Sequence, residues 1–282
     1  MIIWLASYPK SGNTLLRSML SAYLYSKDGN FDFGQLKNIK QFPDNNVFKK
    51  LGVDISNENE VVKNYISAQK EINKRDGNSI RLLKTHSALH DINGYKFTDL
   101  ENTLGAIYIV RDPRKVVTSY KNHSQTSITE AKKRLIEIRT IGGNDDVVNK
   151  TTMHIGSWSS NYNSWKELKK VNRYLLVKYE DLVSDKKKTF INILNFIYKL
   201  MNLKLIIDEK KIDNILKTTS FEYLQDLERE FGFSESVNAN NKKRVTFFKF
   251  GNKNDGKNSL PLDIKKELEN SLQEEMKELG YL

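Results

Sequence analysis

The first 24 residues bring together a short apolar run, a turn that contains Gly12 and a helical pattern, in direct succession. Residues 2–6 are all apolar, which is typical of a buried strand. Beyond Gly12, apolar side chains recur at the spacing of one helix face, at Leu15, Leu16, Met19, Leu20, Tyr23 and Leu24. A buried strand that passes through a tight turn straight into a helix is typical of the start of a parallel α/β sheet.

Three further apolar runs have the same character. They occupy residues 80–83, 105–110 and 174–177, and each is followed by a turn, a charged residue or a helical pattern. After the run at 105–110, Asp112 can cap a helix whose first position is Pro113. This alternation of strands and helices predicts an α/β fold with a central parallel sheet that is flanked by helices.

The length of 282 residues is enough for one large domain, and we expect a single domain over residues 1–282. Behind Pro261, the sequence predicts one amphipathic terminal helix that packs on the sheet. The apolar positions of this helix are Ile264, Leu268, Leu272 and Met276. Residues 29–78, 124–150 and 231–257 are polar and weakly periodic, and we interpret them as loops that cover one edge of the sheet.

The composition excludes several classes of protein. The sequence has no cysteine, which excludes disulfides, thiolate metal sites and a cysteine nucleophile. The N-terminal apolar run has no basic segment before it and is interrupted at Pro9 and Gly12, and no other stretch is apolar enough to span a bilayer. We therefore expect a cytoplasmic protein without a membrane span.

The formal net charge is +11, and the excess of positive charge is mostly lysine. Such a charge agrees with a polyanionic partner such as nucleic acid, and equally with a small cofactor that carries several negative charges. The sequence has no metal-ligand pattern such as His-Glu-x-x-His, so we expect no bound metal.

Three polar segments directly follow predicted strands, where an open parallel sheet binds its ligands. The first is residues 8–14, Tyr-Pro-Lys-Ser-Gly-Asn-Thr. Gly12 lets the backbone approach a phosphate closely, the amides that follow can bind phosphate oxygens, and Lys10 adds a positive charge. The segment is not a Walker A loop, because its lysine precedes its only glycine. By spacing alone it is an ordinary β-turn as readily as an anion site.

The other two segments offer a base and a cation. Lys84 and His86 stand two residues apart at the end of the second predicted strand, in Lys-Thr-His. Arg111 ends the third predicted strand and can bind a phosphate through two parallel hydrogen bonds. Ser119 lies two turns into the helix that follows and can add a hydroxyl hydrogen bond to the same phosphate.

These segments resemble, in sequence and in order, those of the sulfotransferases that use 3′-phosphoadenosine 5′-phosphosulfate (PAPS). The family's first segment is usually Tyr-Pro-Lys-Ser-Gly-Thr-Thr-Trp, and its second is Lys-Thr-His. Two more segments are similar to the family's, Tyr-Glu-Asp-Leu at residues 179–182 and Thr-Thr-Ser-Phe at residues 218–221. The resemblance covers roughly residues 2–260. It implies a P-loop-kinase-like sulfotransferase fold, with PAPS as the sulfuryl donor and no metal.

The resemblance also implies a role for each matched residue. His86 is the implied catalytic base, and Lys10 and Lys84 lie beside the transferred sulfuryl group. The implied cofactor-binding residues are Lys10, Ser11, Gly12, Asn13, Thr14, Arg111, Ser119, Tyr179, Thr219, Ser220, Phe221, Lys249 and Gly251. The implied acceptor is a hydroxyl or an amine on a small molecule, a glycan or a lipid, and nucleic acid is not an implied partner. Sulfuryl transfer of this kind needs in-line placement of the reactants and positive charge around the leaving group.

The sequence departs from the family pattern in two places. Leu15 stands where the family has a tryptophan on the adenine, which leaves open what covers that face of the base. Near the C-terminus, Lys249 and Phe250 replace an arginine and a lysine of the family's Phe-x-Arg-Lys-Gly. Either Lys249 or Arg244 then takes the place of the family's phosphate-binding arginine.

Two other functions fit part of the sequence. A nucleotide-dependent kinase needs a Walker-type loop and a carboxylate for Mg²⁺, and neither is evident. A non-catalytic polyanion-binding protein would use the lysine-rich surface, and its affinity for nucleic acid would fall steeply with salt. We interpret the remaining histidines, His90, His123 and His154, as surface or core residues.

Overall fold

The computed structural model describes residues 1–75, 80–142, 151–237, 244–249 and 260–282. The strands in chain order are β1 (Ile2–Ser7), β2 (Arg81–Thr85), β3 (Thr103–Val110), β4 (Thr140–Ile141), β5 (Met153–His154) and β6 (Tyr174–Lys178). The helices of the first half are α1 (Asn13–Tyr25), α2 (Asn45–Lys50), α3 (Glu58–Lys63), α4 (Tyr65–Arg75), α5 (Pro113–Ser124) and α6 (Ile128–Ile136). Those of the second half are α7 (Trp158–Lys166), α8 (Tyr179–Ser184), α9 (Lys186–Leu200), α10 (Glu209–Thr218), α11 (Phe221–Phe231), α12 (Leu262–Ser271) and α13 (Gln273–Glu278). Short 3₁₀ helices cover Phe33–Asn38 and Glu167–Val171.

Four strands form a parallel sheet in the order β2-β1-β3-β6, and each coincides with one of the four predicted runs. From β1 the chain crosses to β2 on one side, and from β3 it reaches β6 on the other. The direction of the crossovers therefore changes between β1 and β3. In open α/β sheets the ligand crevice lies at such a point, outside the carboxyl ends of the strands.

Helices cover both faces of the sheet at β1, whose six residues are all buried. Ile2, Trp4 and Ala6 belong to one core cluster, whereas Ile3 and Leu5 belong to the other. This alternation is the two-residue period of a strand. The first cluster includes apolar side chains of α5, α7 and α12, and the second includes side chains of α1, α9 and α10. The predicted fold class, a parallel sheet flanked by helices, is confirmed.

Two regions differ from the prediction. Much of the segment predicted to be loop over residues 29–78 is helical, and its aromatic residues Phe42, Phe48 and Tyr65 are fully buried in the cluster around Trp4. These anchors are spaced irregularly among polar residues, so the sequence shows no clear period. The predicted C-terminal helix is broken at Leu272 into α12 and α13, although all four of its apolar positions are buried as predicted.

A two-stranded antiparallel sheet, β4 with β5, lies apart from the parallel sheet in the hydrogen-bond ladder. Its residues Ile141 and Met153 reach the cavity described below. Within the part of the chain that the structure describes, every helix is too short or too polar to cross a membrane.

Candidate active site

A cavity of about 680 Å³ opens at the carboxyl edge of the parallel sheet. It brings together most of the residues that the sequence predicted as a site, although they come from distant parts of the chain. The predicted residues in its wall are Lys10, Gly12, Asn13, Thr14, Lys84, His86, Arg111, Ser119, Tyr179, Thr219, Ser220, Phe221 and Lys249. Ser11 is buried and is not part of the wall, and Gly251 falls outside the described residues.

The loop between β1 and α1 depends on an unusual backbone. Lys10 has φ of 67° and Gly12 has φ of 103°, both in the left-handed region. A Cβ on Gly12 would lie 2.2 Å from the ring of Tyr179, so only glycine fits there. Gly12 also gives α1 no side-chain cap. The positive end of the α1 dipole therefore faces this loop without a protein anion as cap, which favours a bound anion.

The other side chains of this loop serve different purposes. The Asn13 Nδ2 donates to the carbonyl oxygen of Leu5 at 2.9 Å and to the Ser7 hydroxyl at 3.2 Å. Its side chain therefore ties α1 to β1, and the backbone remains the part of Asn13 that a ligand can use. The Ser11 Oγ is buried and has no hydrogen-bond partner among the described residues. A buried hydroxyl without a partner is a donor that a ligand can satisfy.

Lys10 projects into the cavity beside other cations. Its Nζ lies 3.8 Å from the centre of the Phe247 ring, a cation–π contact. Burial, together with the positive charges of Arg111 and Lys84, lowers the pKa of Lys10 to about 7. The ammonium is therefore only partly charged at neutral pH in the free protein, and an anion bound nearby would favour its charged form.

His86 follows β2 and faces the end of β1. Its Nδ1 lies 2.8 Å from the carbonyl oxygen of Ser7, which requires Nδ1 to carry the proton and donate it. Nε2 is then unprotonated, and it has no partner among the described residues. Burial and the positive charge of Lys84 lower the pKa of His86 to about 3, so the ring is neutral at pH 7. The ring thus presents a free lone pair at a fixed position in the cavity.

A carboxylate that the sequence analysis did not identify lies among these cations. Glu235 pairs with Arg17 at 2.5 Å and with Lys84 at 3.6 Å, and it accepts a hydrogen bond from the Thr14 hydroxyl at 3.2 Å. Burial alone raises the pKa of Glu235, but Lys84 and Arg17 outweigh it and bring the pKa to about 2. Two of its partners are predicted site residues, since Thr14 was predicted to bind the cofactor and Lys84 to act in catalysis.

Arg111 ends β3 and bridges two parts of the cavity wall. Its guanidinium lies over the Tyr179 ring at 4.2 Å and donates to the backbone oxygen of Lys10 at 3.3 Å. Its Nε is buried without a partner among the described residues. By contrast, the neighbouring Arg114 is paired at 2.7 Å with Asp112, the residue that caps α5 as predicted. Arg111 therefore has a donor left for a ligand, whereas the guanidinium of Arg114 is used in contacts within the protein.

Hydrogen bonds within the protein hold the segment before α11 in place. Ser220 caps α11 by accepting from the amide of Tyr223 at 3.2 Å, and the Thr219 hydroxyl donates to the carbonyl oxygen of Ile215 at 2.6 Å. Lys186 donates to the carbonyl oxygen of Thr219 at 2.7 Å. These contacts fix the start of α11, and the Phe221 side chain lies in the cavity wall together with Leu15.

We call residues 244–249 the Phe247 segment. Lys249 of this segment lies in the cavity wall, whereas the guanidinium of Arg244 lies against Gly232 and Arg244 is not among the wall residues. Of the two candidates to replace the family's phosphate-binding arginine, Lys249 is the one at the cavity. Phe250 falls outside the described residues.

Three residues of the cavity wall or of its ion pairs were missed by sequence reasoning or misinterpreted. His123 was interpreted as a surface or core residue, but it lines the cavity and packs edge-on against Phe247 at 5.8 Å. Burial and the charge of Lys10 lower its pKa to about 4. Its position one turn after Ser119 was a usable signal, because residues four apart share a helix face. Arg17 follows Asn13 at the same spacing, whereas nothing in the sequence around Glu235 marks it.

The described residues contain no group of three or more His, Asp or Glu side chains that could hold a metal ion. The chemistry of the wall is instead that of an anion site, with lysine and arginine side chains, a helix N-terminus and an aromatic ring.

Comparison with known proteins identifies the family of this chain. The family model described as "Sulfotransferase domain" matches residues 2–280, so the chain belongs to this family. Among curated proteins, it is 24% identical over 147 residues to Sulfotransferase 2A6 of Mus musculus, covering 52% of this chain and 46% of that protein. It is 25% identical over 176 residues to the 3-alpha-hydroxysteroid sulfotransferase of Cavia porcellus, covering 62% and 56%. The matches thus span about half the length of these relatives.

Solved structures show the same fold at lower identity. Mouse sulfotransferase SULT7A1 in complex with PAP has a TM-score of 0.58 and 19% identity, over 98% of this chain and 84% of that one. Retinol dehydratase in complex with androsterone and inactive cofactor PAP has a TM-score of 0.60 and 15% identity, over 98% and 80%. The chain therefore has the sulfotransferase fold.

Proposed function

We propose that this chain, as one domain, transfers a sulfuryl group from PAPS to a hydroxyl or an amine of an acceptor molecule. The observation that carries the proposal is that four separate segments meet in one cavity. They contribute the loop of Lys10, the base His86, the pair Arg111 and Ser119, and the ring of Phe221. Membership of the sulfotransferase-domain family supports the same reading.

The cavity suits an adenosine carrying anions at both its 3′ and 5′ positions. The loop of residues 10–14, at the N-terminus of α1, would hold the 5′-phosphosulfate, and the unpartnered Ser11 hydroxyl would donate to it. The unpartnered Nε of Arg111 would donate to the 3′-phosphate, with Ser119 and Lys249 beside it. Phe221 would stack on the adenine, since any purine offers a π face.

The bound donor supplies the sulfuryl group, and the residues of this chain do the rest. His86 accepts the proton of the acceptor at its free Nε2, while Ser7 keeps Nδ1 protonated and the ring in place. Lys10 and Lys84 neutralise negative charge that grows on the leaving phosphate. The low pKa of His86 in the free protein rises when negative charge enters the cavity, and the ring then becomes a stronger base.

We further propose that the acceptor is a small molecule bound beside His86. The wall on that side includes Ile141, Met153 and Tyr120, which offer apolar and aromatic surface. The names of the relatives refer to a hydroxysteroid, androsterone and PAP, and these support a small, largely apolar alcohol as the first acceptor class to assay.

The proposal is tested by the affinity for 3′-phosphoadenosine 5′-phosphate (PAP) relative to AMP, measured by calorimetry. We expect PAP to bind at least about a hundredfold more tightly, because a charge-assisted, bidentate phosphate contact is worth that much. Arg111→Ala should remove most of the preference, and Arg229→Ala, which changes an exposed arginine on α11, should not. Equal affinities for PAP and AMP in the unaltered chain would falsify the 3′-phosphate assignment.

The activity itself is tested by incubating the chain and PAPS with a metabolite extract and detecting sulfated products by mass spectrometry. We expect new products that appear only when both the chain and PAPS are present. Products that form equally well with His86→Ala would rule out the proposed base.

A further inference from the structure

The carboxylate of Glu228, on α11, holds the Phe247 segment. Its Oε1 accepts hydrogen bonds from the backbone amide of Phe247 at 2.7 Å and from the Ser236 hydroxyl at 2.9 Å. Its Oε2 accepts one from the amide of Phe248 at 2.8 Å. Hydrogen bonds to an ionised acceptor are about twice as strong as neutral ones, so the two contacts to the Phe247 and Phe248 amides fix the backbone of the segment firmly.

Gln225, one turn earlier on α11, bonds the next peptide of the segment, the one between Phe248 and Lys249. Its Nε2 donates to the carbonyl oxygen of Phe248 at 2.9 Å. The amide and the carbonyl of Phe248 are therefore both bonded to side chains of α11. The next residue in the chain is Lys249, so the position of Lys249 relative to α11 is set by these two side chains.

The far side of the Phe247 segment contacts the anion site. The Phe247 ring lies 3.8 Å from the Nζ of Lys10 and packs against His123 of α5. The carbonyl oxygen of Thr246 accepts from Asn122 of α5 at 3.5 Å. The same helix carries Ser119, which was predicted to bind the 3′-phosphate. Glu228 thus sits at one end of a chain of contacts that ends at the phosphate-binding helix.

We propose that Glu228 is a positioning residue for recognition of the 3′-phosphate of the cofactor. Glu228 is not part of the cavity wall, and it acts by fixing the two amides that place Lys249 there. The inference rests on the proposed function, because it assumes that PAPS and PAP bind in this cavity. It adds a residue outside the matched segments to the determinants of cofactor choice.

The geometry separates positioning from folding. The Phe247 segment is also held by packing of Phe247 and Phe248 against Phe33 and Phe233, with ring centres 4.8 to 6.1 Å apart. We therefore expect Glu228→Gln to remain folded. The glutamine has one oxygen and one NH₂ group, so at least one of the two amides loses its acceptor, and the segment shifts relative to α5.

The test compares the affinities of the full chain for PAP and for AMP, because AMP lacks only the 3′-phosphate. With Glu228→Gln we expect the affinity for PAP to fall by about tenfold or more and the affinity for AMP to change by less than about threefold. Glu230→Gln makes the same chemical change at an exposed position of the same helix and should leave both affinities unaltered. Thermal melts of all three proteins accompany the titrations.

A PAP-to-AMP ratio that falls less than about threefold in folded Glu228→Gln would overturn the inference, and so would an equal loss of both affinities, which marks a general structural role. If Glu228→Gln does not fold, Gln225→Ala removes a contact to the same residue, Phe248, and decides the question by the same ratio. Lack of a PAP preference in the unaltered chain is a separate result. It overturns the proposed function on which this inference rests.

Discussion

Two parts of the cavity wall are built in different ways. The residues at the strand ends are held by the hydrogen-bonded ladder of one parallel sheet. Lys84 lies near the end of β2, and Arg111 comes directly after β3. The Phe247 segment and Glu235 belong to no strand, and side-chain contacts hold them in place. The first part is fixed by backbone geometry, whereas the second can be released by changing a single side chain.

The difference explains how the two parts contribute. Backbone ladders place groups reproducibly, which suits the proposed base and the cations proposed to meet the reacting atoms. Contacts through side chains can be changed one residue at a time, which suits a test of how each group responds to a bound ligand. Glu235 is the clearest example, since it accepts a hydrogen bond from the Thr14 hydroxyl and pairs with Lys84 in the free chain.

The largest expected effect is at His86, which belongs to the part of the wall that backbone geometry fixes. His86→Ala should lower kcat by a factor on the order of 10² to 10⁴, the usual contribution of a positioned base, while the affinity for PAP stays within a few-fold. Single-turnover assays and a thermal melt on one preparation separate rate from stability. His90→Ala, outside the cavity wall, is the matched control. A folded His86→Ala protein with near-normal turnover would remove His86 from the mechanism.

Gly12→Ala should lower the affinity for PAP by about a hundredfold. A methyl group there meets the Tyr179 ring and also imposes strain at a φ of 103°. Calorimetry measures the effect. Gly52→Ala imposes comparable strain at φ of 71° but meets no atom within 4 Å, so it should leave the affinity unchanged. Unchanged affinity in Gly12→Ala would show that the approach of Tyr179 does not govern the loop.

Among the groups held by side-chain contacts, Glu235→Gln should strengthen PAP binding by about tenfold, because it removes a negative charge from the anion site, where Glu235 pairs with Lys84 and accepts from Thr14. Titration calorimetry of this variant beside Glu274→Gln, an exposed position on α13, isolates the local effect from net charge. Weaker binding in Glu235→Gln would instead mean that the carboxylate is needed to orient Arg17 and Lys84.

The smallest expected effect is the pH dependence of PAP affinity through Lys10. A bound anion favours the protonated lysine, so affinity is highest below the free-state pKa of about 7 and declines as pH rises above it. For one coupled proton, the affinity at pH 8 should be about fivefold lower than at pH 7. Lys10→Arg keeps its charge over this range and should abolish the decline. A decline that persists in Lys10→Arg would assign it to another group.

Much of the fold and part of the site could be predicted from the sequence. The four strands of the parallel sheet were visible as apolar runs, because strands covered by helices carry few polar residues. Asp112 and Pro113 marked the start of α5 correctly, because capping is a local interaction. The helices between residues 33 and 75 were not predicted, because their buried aromatic residues follow no helical period.

What the sequence determined by itself was the local chemistry at each strand end: Lys10 and Gly12 after β1, His86 after β2 and Arg111 after β3. These positions are set by short-range rules of strands, turns and caps. Only the tertiary structure decided which distant groups contact these residues. Examples are the ion pair of Glu235 with Lys84 and the cation–π contact of Phe247 with Lys10. Such contacts depend on how the chain returns after more than a hundred residues, and no local pattern records that return.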